Sequence, residues 1–109
     1  MPAAKLIVIY PTPRDVDAFE RAYSGEHLPL AAPIFEAAGA TKVVLSKISG
    51  AASGTSPFHR IAEIHFKSLD DLNACAASKD GRKAVDHAHA ISNGGPPTIL
   101  IATEDVVTF

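Results

Sequence analysis

Tyr23 and His27 are the residues of this chain whose types and spacing could do chemistry. They sit in a row of side chains, Val16, Phe19, Tyr23, His27 and Leu30, whose intervals of 3, 4, 4 and 3 place all five on one face of a helix. A phenol and an imidazole therefore point where the core should be. Polar groups aimed inward cost free energy unless they find partners, so these two are either satisfied by buried neighbours or border a cavity that a ligand enters. In the second case His27 could take or give a proton, because the imidazole titrates near neutrality, and Tyr23 could orient it or donate to a ligand oxygen. In the first case His27 caps backbone near the helix-breaking pair Leu28-Pro29 and Tyr23 is core packing.

The other candidates carry weaker signals. In the run Arg60 to Phe66, strand alternation puts Arg60, Ala62, Ile64 and Phe66 on one face and Ile61, Glu63 and His65 on the other. Phe66 marks the helix-covered face, so Arg60 could hold an anion at the mouth of a helix–sheet pocket or form an ordinary ion pair. Cys75, the single cysteine, reads as a small buried hydrophobe. Five histidines raise the question of a metal. His87 and His89 are two apart, about 200° around a helix, and cannot chelate together there. No other pair has helical metal spacing, so neither a metal nor a cofactor is expected, and nothing local calls for haem at His27. Gly94-Gly95 lacks a phosphate-loop pattern and reads as a turn.

The elements that must position these residues can be read from the punctuation. Lys5 to Tyr10 is a β-branched run closed by Pro11 and Pro13. A first helix starts at Asp15 as its N-cap, breaks at Leu28-Pro29, resumes toward Glu36 and ends at Gly39. Lys42 to Ile48 is a second strand, Ser49 to Pro57 a loop rich in glycine, serine and threonine, and Arg60 to Phe66 a third strand. Ser68 caps a second helix that turns Leu72, Cys75 and Ala76 inward, restarts near Asp80-Gly81 and stops before Asn93-Gly94-Gly95-Pro96-Pro97. Thr98 to Thr103 is the fourth strand. This β-α-β-β-α-β order predicts an α+β, ferredoxin-like domain with a four-stranded antiparallel sheet and its helices on one face.

The 109 residues, 47% hydrophobic and 20% charged, suit one ordered domain spanning 1–109. A net charge of −2 gives no reason to expect nucleic acid, and no basic stretch suggests a membrane surface. The first apolar run is too short for a leader or a membrane span, and one free thiol fits a reducing compartment, so a cytoplasmic protein is expected. Val43-Val44-Leu45 and Ile99-Leu100-Ile101 are apolar on both sides, whereas helices can cover only one. A homodimer packed sheet on sheet is the expected solution, with Val106-Val107-Thr108-Phe109 adding apolar surface near it.

Several segments together resemble the EthD family, named for ethyl tert-butyl ether degradation. They are Lys5-Leu6-Ile7-Val8-Ile9-Tyr10-Pro11, Asp15 to Phe19, Tyr23 to Ala31, Ala62 to Leu69, Ser78-Lys79-Asp80-Gly81 and Gly94-Gly95. The resemblance spans nearly the whole chain and is most specific from Tyr23 to Pro29. It implies a dimeric α+β barrel, a group that also holds cofactor-free monooxygenases, lactone isomerases, polyketide cyclases and haem proteins, and it implies a catabolic setting. His65, His87 and His89 depart from the family's pattern, so no role is carried over to them. Two expectations follow. One is a cofactor-independent enzyme acting on a small, largely apolar organic molecule, with His27 and Tyr23 catalytic and Ile7, Ile9, Phe19, Ala62, Ile64 and Cys75 lining the pocket. The other is a non-catalytic dimeric binding or accessory protein serving a partner oxygenase.

Overall fold

The computed structural model describes residues 2–109. Eight strand and helix segments follow one another as β1 (Ala4–Pro11), α1 (Val16–Ala22), α2 (Leu28–Ala37), β2 (Lys42–Lys47), β3 (Phe58–Phe66), α3 (Leu69–Ala77), α4 (Lys79–Ile91) and β4 (Thr98–Thr103). The strands form one antiparallel sheet in the order β2-β3-β1-β4, the ferredoxin-like arrangement that the element order predicts. β3 begins two residues earlier than Arg60, and Ile48 leaves β2 while still donating to the His59 carbonyl at 2.9 Å. Between them Ala51 and Gly54 close a small turn on each other.

Helix starts follow their sequence signals. The Asp15 carboxylate accepts from the Ala18 amide at 2.9 Å, Ser68 Oγ from Asp71 at 3.2 Å and Ser78 Oγ from Gly81 at 3.0 Å. The expected break at Leu28-Pro29 does not occur. Tyr23–His27 instead forms a π-helical turn that joins α1 to α2, closed by the Leu28 amide donating to the Tyr23 carbonyl. Pro29 has no N–H, and its ring would press on the carbonyl four residues back, that of Gly25, so the turn widens rather than ends.

This turn sets the phase of everything that follows. The buried positions are Phe19, Tyr23, His27, Ala31 and Phe35, a repeat of four. On a regular α-helix a repeat of four drifts by about 40° per step, and one wider turn takes up that drift. Ala31 therefore points inward where Leu30 was expected, and Leu30 is only half-buried.

One face of β1 and β3 meets the helices. Ala4, Leu6, Val8 and Tyr10 are buried there, paired in register with Phe66, Ile64, Ala62 and Arg60. Ile7 and Ile9 were expected on this face. Strand alternation puts them on the opposite one, half-buried beside Glu63 and Ile61. The edge strands are poorly covered, with Val43, Val44, Leu45, Leu100 and Ile101 all exposed in the lone chain. The molecule is a slab of 39 × 38 × 18 Å, one sheet thick and one helix layer thick.

Candidate active site

The π-turn, α2 and α4 lie over the sheet and form with it a partly open cavity of about 30 Å³. Its floor is Leu6, Val8, Ala62 and Ile64, its helical walls include Leu28, Ala31, Phe35, Ala84 and Ala88, and Val43 and Leu45 of edge strand β2 border it. Tyr23 and His27 reach this wall from the π-turn, at 1% and 7% exposure.

Of the expected lining residues, Ala62 and Ile64 are there, but Ile7, Ile9, Phe19 and Cys75 are not. Ile7 and Ile9 face the other side of the sheet. Phe19 stacks behind Tyr23, with ring centres 5.4 Å apart, so it supports the site without bordering it. Cys75 faces the core from α3, near a separate groove between α2 and the α3–α4 joint, and burial pushes its thiol pKa up.

Tyr23 is held tightly. Phe19 stacks on its ring, Tyr10 meets it edge-on at 5.5 Å, and the Arg60 guanidinium lies 5.1 Å from its centre. Its hydroxyl is buried and has no hydrogen-bond partner. Burial raises its pKa, so the phenol is un-ionised and available as a donor near neutrality.

His27 does have a partner, His87, which lies far from it in sequence. Its Nδ1 lies 2.9 Å from Nδ1 of His87 on α4, so one of these nitrogens carries hydrogen and the other accepts it. The ring planes differ by 12° with centres 5.1 Å apart, an edge-to-edge arrangement that suits an in-plane N–H···N bond. Desolvation, then repulsion from His87, lowers the His27 pKa from 6.5 to about 4, so it is neutral at pH 7. A sequence signal for His87 existed. It lies three residues from Ala84 and four from Ile91, on the inward stripe of α4.

Arg60 faces the helix side as expected, and the anion it holds is Glu20 of α1, through bonds of 3.1 and 2.7 Å. His59 joins the same carboxylate at 3.2 Å. The Arg60 and His59 hydrogen bonds bring the Glu20 pKa down to about 2 against the cost of desolvation. On the far face Glu63 bonds Lys5 at 2.7 Å, and His65 Nδ1 lies 3.6 Å from Glu104. His89 is exposed. Among the described residues no three His, Cys, Asp or Glu side chains cluster as metal ligands.

Such a site, a largely apolar cavity beneath two helices of a ferredoxin-like sheet with a phenol and an imidazole at its wall, defines a ferredoxin-like α+β protein with an internal pocket. The EthD domain matches residues 12–92, and the chain belongs to the EthD family. It is similar to an EthD family protein from Bacillus halodurans C-125, at 26% identity over 94% of this chain and 99% of that one, with a TM-score of 0.85. A dimeric ferredoxin-like protein of unknown function from Jannaschia sp. CCS1 shares the fold at 16% identity over 97% and 100% of the two chains, TM-score 0.69. SnoaB, a cofactor-independent oxygenase from Streptomyces nogalater, shares it at 9% identity over 100% and 97%, TM-score 0.65. No curated protein matches the chain.

Proposed function

We propose that this protein binds a small, largely apolar organic molecule bearing one oxygen, and exchanges a proton with it through His27 without a resident cofactor. The observation that carries this reading is that Tyr23, whose hydroxyl is buried and without a partner, and His27 line one and the same apolar cavity. A buried donor left unsatisfied costs about 1–3 kcal/mol, a cost that a ligand oxygen would remove. His87 beside His27 favours proton transfer over passive binding, since it gives the imidazole a polar neighbour with which to share hydrogen.

A cavity of about 30 Å³ has room for about two waters. A larger ligand would have to part Leu28 and Phe35 from Val43 and Leu45, where the cavity meets the exposed edge strand β2. The two-sided apolar character of the sheet supports a homodimer as the working unit, as does the dimeric state of the Jannaschia protein. The accessory alternative, a binding protein that serves a partner oxygenase in a catabolic pathway, predicts saturable binding with no chemistry.

Acetophenone and ethylbenzene test the reading because they differ chiefly in the oxygen. NMR titration of the wild type is expected to shift signals of Tyr23, His27, Ala31 and Ala84, with acetophenone binding more tightly. Tyr23→Phe should weaken acetophenone by roughly threefold to tenfold, the worth of one hydrogen bond, and leave ethylbenzene unchanged. Shifts confined to the protein surface, or equal affinity for both ligands in the wild type, would overturn it.

A further inference from the structure

We infer that His27 and His87 form a two-imidazole proton relay, which connects the cavity to bulk water through the helical layer. The inference rests on the reading of His27 as the group that exchanges a proton with the ligand, and it adds His87 as the route by which that proton leaves or returns.

Geometry carries it. His27 is 7% exposed and borders the cavity, whereas His87 does not border it and is half-buried on α4. The 2.9 Å Nδ1–Nδ1 contact joins an inside ring to an outside ring. With both Nδ1 atoms committed to each other, Nε2 is the one ring nitrogen that each has free. Neither Nε2 is among the buried side-chain atoms left without a partner, which are Tyr23 Oη and His65 Nε2 among the described residues.

The proton balance closes in one pass. In the receptive state His27 Nδ1–H donates to His87 Nδ1, so His27 Nε2 has a lone pair and His87 Nε2 carries hydrogen. A ligand X–H gives its proton to His27 Nε2 as the X–H bond breaks and leaves its electron pair on X. The Nδ1 proton of His27 crosses to His87 Nδ1, and His87 releases its Nε2 proton to water. The pair ends with His87 Nδ1–H donating to His27 Nδ1, and the net change is X–H to X⁻ plus a solvated proton. Running the steps backwards delivers a proton from water to the ligand, to the same atom or to another. No electron is gained or lost, so the site suits ionisation, enolisation or isomerisation of a weak acid.

The relay also answers a difficulty. Burial holds the His27 pKa at about 4, so a positive charge is poorly tolerated there. Passing the proton on puts the charge on the half-exposed ring, where water can solvate it.

The test needs no ligand, so its outcome is separate from that of the acetophenone titration. In protein labelled with ¹⁵N at histidine, the ring nitrogens should show one hydrogen-bonded Nδ1 proton shared by the pair, and magnetisation exchange should give the rate at which the His27 ring proton exchanges with water. His87→Gln retains a hydrogen-bonding side chain that cannot pass a proton through itself, and His87→Phe keeps the volume of the ring. Both should slow that exchange by about a hundredfold or more at neutral pH, the lower end of a positioned proton-transfer group's effect. Thermal melting of both variants monitors folding, and a folded example of either suffices. Unchanged exchange in a folded variant, or two rings that both carry Nε2–H in the wild type with no bonded Nδ1 proton, would overturn the relay.

Discussion

At the scale of single residues, the site rests on a phenol without a partner and an imidazole with one. These states have consequences for stability against pH. The folded His27 pKa of about 4 lies below its ordinary 6.5, so between those values the unfolded chain binds the proton that the native chain refuses. The stability this contributes is complete above pH 6.5 and is lost as pH falls toward 4. Glu20 has the same sign in a lower window, since its folded pKa of about 2 lies below 4.5 and its contribution is lost between those values. Melting temperature should therefore fall in two stages on acidification. His27→Gln should flatten the first stage, and Glu20→Gln the second. A first stage unchanged in His27→Gln would assign the acid sensitivity to another group. On function, His27→Ala should lower any turnover found by roughly 10²- to 10⁴-fold while the protein stays folded, and Tyr23→Phe should cost less. Full activity in a folded His27→Ala variant would remove His27 from the chemistry.

At the scale of elements, two glycines mark where backbones meet. A Cβ on Gly81 would collide with the Cys75 carbonyl oxygen at the α3–α4 joint, and one on Gly94 with the Thr12 carbonyl oxygen. Next to Gly94, the Asn93 side chain accepts from Arg14 at 2.8 Å and donates to the Asp15 carbonyl at 3.0 Å, tying the end of α4 to the start of α1. Gly81→Ala is expected to cost about 1–3 kcal/mol, the usual penalty of forcing volume into a packed site, and urea denaturation measures it. A midpoint equal to that of the wild type would mean that the joint yields freely. Helix caps, strand alternation and the Gly-Pro stop before β4 were legible in the sequence because each is a local signal. The π-turn was not, since proline signals trouble with the helix but not whether the chain breaks or widens. That uncertainty put Leu30 in the stripe in place of Ala31. On β1, the five consecutive apolar or aromatic side chains from Leu6 to Tyr10 hide the inward phase, and so Ile7 and Ile9 were assigned to the wrong face. The pairing of His27 with His87 joins residues 60 apart in sequence and depends on how α4 crosses the π-turn.

At the scale of the whole molecule, a slab 18 Å thick has one sheet face that its own helices cannot reach. Val44 and Leu100 stand on that face at 37% and 47% exposure, flanking Ile7, Ile9 and Ile61, and a second copy would bury them all. Light scattering should give twice the chain mass at micromolar concentration, and Leu100→Glu should shift the protein toward monomer by placing a charge in an apolar interface. A wild type that stays monomeric would leave the open sheet face without its proposed cover. The proposed chemistry lies in the interior, and a crystal of the protein soaked with acetophenone shows whether a ligand reaches it. Ligand density is expected beneath the π-turn, with the carbonyl oxygen within hydrogen-bond distance of Tyr23 Oη and the molecule against His27. A collapsed cavity, with Tyr23 Oη bonded to a protein group and acetophenone bound elsewhere or not at all, would contradict it.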